Sequence, residues 1–123
     1  MKGMMTVGNL NDYARLCHLA NEKWWRDPET GEMLPFNKGE KIALIHSELS
    51  EMLEGERKDA MDDHLPHRRS AEVEAADALI RLFDYCGRCG YDVDGAFREK
   101  MQYNETREDH TPEARRAAGG KKF

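Results

Sequence analysis

Apolar residues recur along most of this chain at three- and four-residue intervals, the spacing of one face of an α-helix. No stretch alternates convincingly enough to predict a strand. Between about Asn11 and Trp25 the series Tyr13, Cys17, Ala20 and Trp24 marks one inward face, which puts Trp24 in the core. Residues 26–36 hold Pro28, Gly31 and Pro35 and read as a loop. Asn37 followed by Glu40 is a capping box, and a second helix runs from there to Arg57 or Lys58. A polar connector over residues 59–67 precedes a third helix, from about Arg68 to Arg88, with Gly90 placed to supply its left-handed cap. A fourth helix starts at Asp92 or Asp94 and ends near Arg107. The remainder has no periodicity. The expectation is an all-α protein: a four-helix bundle in a single domain, residues 1–107, and a flexible C-terminal tail, residues 108–123.

The second and third helices carry the chemistry. On the second, Ile42, Ile45, Leu49, Met52 and Leu53 form the apolar stripe. Glu48 falls between Leu44 and Met52 around the wheel and Glu51 beside Leu44, so both acids border the inward face. The third helix is apolar around most of its girth, from Val73 to Cys86, and Glu74 and Asp77 fill the narrow polar strip that remains. Such a helix must be covered on more than one side. Four helices hardly suffice, so subunit association is expected.

A short connector makes these two helices an antiparallel hairpin. The position numbers of Glu48 and Asp77, and those of Glu51 and Glu74, share one midpoint, which falls in the connector. Two opposed acidic pairs one turn apart are therefore predicted. Four carboxylates that close repel one another unless divalent cations neutralise them. Hard oxygen donors suit magnesium, with manganese as a substitute. In a chain that is 35% charged, one such pair alone reads as surface decoration. Two pairs in register read as a metal site.

Composition narrows the class. The 123 residues allow one compact domain, and the longest aliphatic runs fall far short of a membrane span. With 19 Lys+Arg against 24 Asp+Glu, the net charge of -5 argues against gripping nucleic acid. Met1-Lys2-Gly3-Met4-Met5 is not followed by an apolar core, so no secretion signal and a cytoplasmic location are expected. Cys86 and Cys89 form a CxxC at the end of a helix rather than its start, which favours inert reduced thiols, as does Cys17 without a partner motif.

The fourth helix begins apolar with Val93, Ala96 and Phe97 and continues on the same side as Lys100, Asn104 and Arg107. Two cations and an amide on an inward face suit an anion such as a polyphosphate, although pairing with neighbouring acids would also account for them. Lys121 and Lys122 follow two glycines in the tail and could close over the same anion. On the first helix Trp25 shares a side with His18 and Asn21. An indole that stacks and an amide that reads a base edge make a pocket wall, with a subunit contact as the other use of such a tryptophan.

Glu48-Leu49-Ser50-Glu51 followed by Glu74-Ala75-Ala76-Asp77 resembles the ExxE…ExxD signature of the MazG-like all-α NTP pyrophosphatases. Residues 100–107, Lys-Met-Gln-Tyr-Asn-Glu-Thr-Arg, are similar to that family's KxxYNxxR segment. Trp24-Trp25, Asn37-Lys38-Gly39-Glu40 and the closing Gly-Lys-Lys-Phe resemble its phage-encoded members. One departure is Ser47, where many members carry a further acid. The resemblance spans residues 10–123. It implies magnesium-dependent hydrolysis of a nucleoside triphosphate, leaning to dGTP or GTP, between its α- and β-phosphates. Glu48, Glu51, Glu74 and Asp77 would be the catalytic metal ligands for roughly two or three ions per site. It further implies Lys100, Asn104, Arg107, Lys121 and Lys122 on the phosphates, and a homodimer or homotetramer in the cytoplasm, that of the host if phage-encoded. The alternative is a non-enzymatic helical interaction module, an antitoxin-like partner without metal affinity. A di-iron bundle would want Glu-x-x-His motifs that neither acidic pair supplies.

Overall fold

The computed structural model describes residues 8–107 and 112–120, which are helical with no strand among them. The chain divides into two units, residues 1–91 and 92–123. The first unit contains α1 (Leu10–Asn21), a 3-10 turn (Glu22–Trp25), α2 (Lys38–Lys58) and α3 (Ser70–Cys89). The second contains α4 (Val93–Thr106) and a short α5 (Pro112–Arg116) within the stretch where the sequence shows no periodicity.

Side-chain caps set most helix starts. Asn9 and Asp12 form a full capping box on α1, each bonding the other's backbone N–H at 3.1 Å. Asn37 accepts from the Glu40 N–H at 3.0 Å and starts α2 as expected. The loop between them is organised by Asp27, whose Oδ1 accepts from the N–H groups of Glu29 and Thr30, and by Gly31 in the left-handed region at φ 73°. The chain leaves α2 through Asp59, also left-handed at φ 48°, where a glycine is the usual choice. Gly90 closes α3 at φ 69°.

The α2–α3 connector is a structured turn. Asp62 Oδ2 accepts from the His64 and Leu65 N–H groups at 2.9 and 2.8 Å, and Met61 and Arg69 form an isolated bridge. Ser70 N–H then donates to Ala60 C=O at 2.9 Å. These bonds tie the two helix ends together and fix the register of the hairpin.

Within the first unit α3 is central, with α1 packed on one side of it and α2 on another. Both approaches are close because glycines permit them. A Cβ on Gly55 of α2 would lie 3.0 Å from the Ala71 backbone nitrogen, and one on Gly87 of α3 would lie 2.6 Å from the Ala14 carbonyl oxygen. The core is small: Ala14, Trp25, Ala71, Ala78, Tyr85 and Cys86.

Two expected stripes are displaced. On α1 it is Ala14 that is buried, while Tyr13 and Ala20 are exposed and Trp24, predicted as core, is 68% exposed. The series that turns inward is Ala14, His18 and Trp25, one residue round the helix from the apolar one. It can do so because Asp84 of α3 satisfies its polar groups: Trp25 Nε1 donates to both carboxylate oxygens at 3.0 and 3.1 Å, and His18 Nδ1 lies 2.9 Å from Oδ1. On α2, Ile45 and Met52 of the expected stripe are half-buried and share their side of the helix with Glu48 and Gly55, while Ile42, Leu49 and Leu53 are exposed. Among the described residues no helix is long and apolar enough to cross a membrane.

Candidate functional site

The hairpin brings the predicted acids together. Carboxylate oxygens of Glu48, Glu74 and Asp77 lie within 4.8 Å of one another, each residue partly buried. Glu51 is exposed and lies outside this triad, though near enough to Glu74 to act on its ionisation. Burial, followed by the Glu48 and Glu51 carboxylates, which accept from and so favour protonated Glu74, and then the charges of Glu51 and Asp77, pushes Glu74 up to about 7. Its Oε2 is shielded and has no hydrogen-bond partner. Burial and the Glu48 charge raise Asp77 as well, against the opposing pull of Arg81.

A cleft of about 540 Å³ opens beside this cluster. Glu48 and Asp77 form part of its wall, with Lys41 and Leu44 from α2, Ile80, Arg81 and Asp84 from α3, and Trp24 and Trp25 from the 3-10 turn. Anionic, cationic and aromatic surfaces thus share one opening. Trp25 is only 4% exposed. Its ring meets Phe36 edge-on at 4.9 Å and His18 at 5.9 Å, and Lys41 Nζ sits 4.4 Å from its centroid. Trp24 offers the open indole. Buried Tyr85 also lines the cleft; its phenol is pushed up to about 12 by burial and by Cys89 and Tyr91, so it stays neutral.

Of the base-pocket candidates, Asn21 and Trp25 line the cleft and His18 packs against Trp25. Asn21 spends an amide proton on the Cys17 carbonyl at 2.8 Å. Lys100, Asn104 and Arg107 belong to the second unit, where Lys100 and Arg107 lie over the Tyr103 ring, 4.7 and 5.7 Å from its centroid. Arg107 itself is extended and ends α4. Lys121 and Lys122 lie outside the described residues. Cys17, Cys86 and Cys89 are free, and burial pushes the Cys17 and Cys86 thiols up, away from the reactive thiolate.

The periodicity reading missed Arg81, Lys41 and Asp84. The signal was available: Arg81 and Asp84 follow Asp77 by four and seven residues, and Lys41 precedes Glu48 by seven, so each shares a helix face with an acid.

No protein-family model, curated protein or solved structure matches this chain.

Proposed function

We propose that this protein is a divalent-metal-dependent nucleoside triphosphate pyrophosphohydrolase, releasing a nucleoside monophosphate and pyrophosphate. The observation that carries the reading is the convergence of Glu48, Glu74 and Asp77, two of which, Glu48 and Asp77, line a cleft that also holds cations and indoles. The resemblance of the ExxE…ExxD and KxxYNxxR segments to the MazG-like enzymes supplies the reaction.

The donor set fits magnesium. All four groups are hard carboxylates, and the unpartnered Glu74 Oε2 has an orphaned acceptor that a cation would satisfy. Glu48, Glu51, Glu74 and Asp77 would hold the metal, which when bound supplies charge neutralisation at the phosphates and a more acidic water. Glu51 is the better placed proton acceptor. Glu48 is engaged by Arg81, whereas Glu51 lies close enough to act on Glu74 and remains exposed. Lys41 and Arg81 give the cleft positive charge for a triphosphate; Lys100, Asn104, Arg107, Lys121 and Lys122 would bind phosphate by the resemblance alone. Trp24 presents the stacking surface for a base, with Asn21 and Trp25 beside it. The preference for dGTP or GTP and the cytoplasmic setting follow the resemblance alone.

Asp77→Asn and Glu51→Gln should each lower turnover of nucleoside triphosphates with magnesium by about a hundredfold or more while the helical circular dichroism is kept. Wild-type rates in both variants would leave the cluster decorative and favour the interaction-module alternative.

A further inference from the structure

Arg81 lines the cleft beside Glu48 and Asp77 of the acidic cluster. It lies on α3 one turn beyond Asp77, and its Nε donates to Glu48 Oε1 at 2.9 Å. The two ends of this ion pair sit in different surroundings: the Glu48 side chain is 13% exposed and that of Arg81 45%. Glu48 is fixed in the α2–α3 seam, while the guanidinium is reached by solvent and lines the cleft. Ion pairs with so exposed a partner are held weakly enough to exchange. Arg81 also bears on Asp77, so one cation serves two members of the cluster.

A guanidinium in this position offsets like-charge repulsion, and it engages through Oε1 a carboxylate that a divalent ion would claim. Once displaced, its planar fork of donors is matched to phosphate oxygens, and the cleft it already lines is where they would lie. We propose that Arg81 is a resident counter-cation: it holds Glu48 until a divalent ion takes that carboxylate, and then transfers its guanidinium to the anionic phosphates in the cleft. The inference rests on the proposed pyrophosphohydrolase reading and adds an order to it. Cation binding frees the phosphate contact, and by linkage the phosphate draws Arg81 off the cation's ligand, so each ligand raises the affinity for the other.

Calorimetric titration of manganese into nucleotide-free protein tests the first half. Arg81→Gln removes the competing charge and should bind manganese about three- to tenfold more tightly than wild type. Titration of the α,β-methylene analogue of guanosine triphosphate at saturating manganese tests the second, and there the same variant should bind about tenfold more weakly. Opposite shifts in one variant are the signature, because a merely structural Arg81 would weaken both. Arg81→Lys keeps the charge without the fork. It should restore the manganese affinity to near the wild-type value and leave the analogue weakly bound, and it carries the test if the glutamine variant fails to fold. Unchanged or weaker manganese binding in Arg81→Gln, unchanged analogue binding, or no manganese binding in wild type would overturn the proposal. Wild-type hydrolysis with an unaffected Arg81→Gln would sink Arg81 alone. Opposite shifts without any hydrolysis by wild type would sink the reaction and leave the counter-cation standing.

Discussion

Glu74 carries its carboxyl among three others, and the consequence can be measured without a substrate. Its pKa stands near 7 in the folded chain, against an ordinary value of 4.5, so the folded state holds the proton more tightly than the unfolded one. Its contribution to stability is therefore complete below about pH 4.5 and is lost as the pH rises through about 7. Asp77 is shifted the same way. Cation-free protein should melt at progressively lower temperature between about pH 5 and pH 8, and Glu74→Gln should flatten that slope. A wild-type melting temperature that rises over this interval would contradict the arrangement. The acids themselves were legible as residues, because the helix wheel and the hairpin register depend only on counting. The opposing charge was not. Arg81 reads as one more surface cation until the seam places it on Glu48.

At the scale of elements, α1 and α2 are held on α3 by close backbone approach more than by large buried side chains. Gly87→Ala would press a methyl group against the Ala14 carbonyl and the His18 Cβ, at 2.6 and 2.8 Å. Helix backbone cannot yield as a flexible side chain does, so a loss of about 1–3 kcal/mol is expected from denaturant unfolding. A variant as stable as wild type would show that α1 is not seated as described. The helices were legible from caps and periodicity: Asn37, Gly90 and Asp92 each stand where the sequence put an end. Which face of α1 turns inward was not legible. Periodicity ranks faces by hydropathy, whereas His18 and Trp25 are buried through a partner 66 and 59 residues away. Trp24 and Trp25 exchanged roles for that reason. The same limit applies in part to α2, where only Ile45 and Met52 of the apolar stripe are half-buried, beside an acid and a glycine.

For the whole molecule, exposed apolar side chains on α2 and α3 bear on assembly. Ile42, Leu49 and Leu53 of α2, and Leu79 and Leu82 of α3, are exposed. So much apolar surface favours burial against another copy of the chain. A homodimer or homotetramer is expected by light scattering at micromolar concentration, and Leu49→Lys should shift it toward monomer. A monomeric wild type would show that this surface serves another purpose. The central claim, that the acidic cluster and its cleft cleave a nucleoside triphosphate between the α- and β-phosphates, is tested most directly by phosphorus NMR of guanosine or deoxyguanosine triphosphate incubated with the protein and magnesium. Monophosphate and pyrophosphate should appear together in equal amounts, with neither when magnesium is chelated. Diphosphate and orthophosphate as the products, or an unchanged spectrum across all the common nucleoside triphosphates, would contradict it.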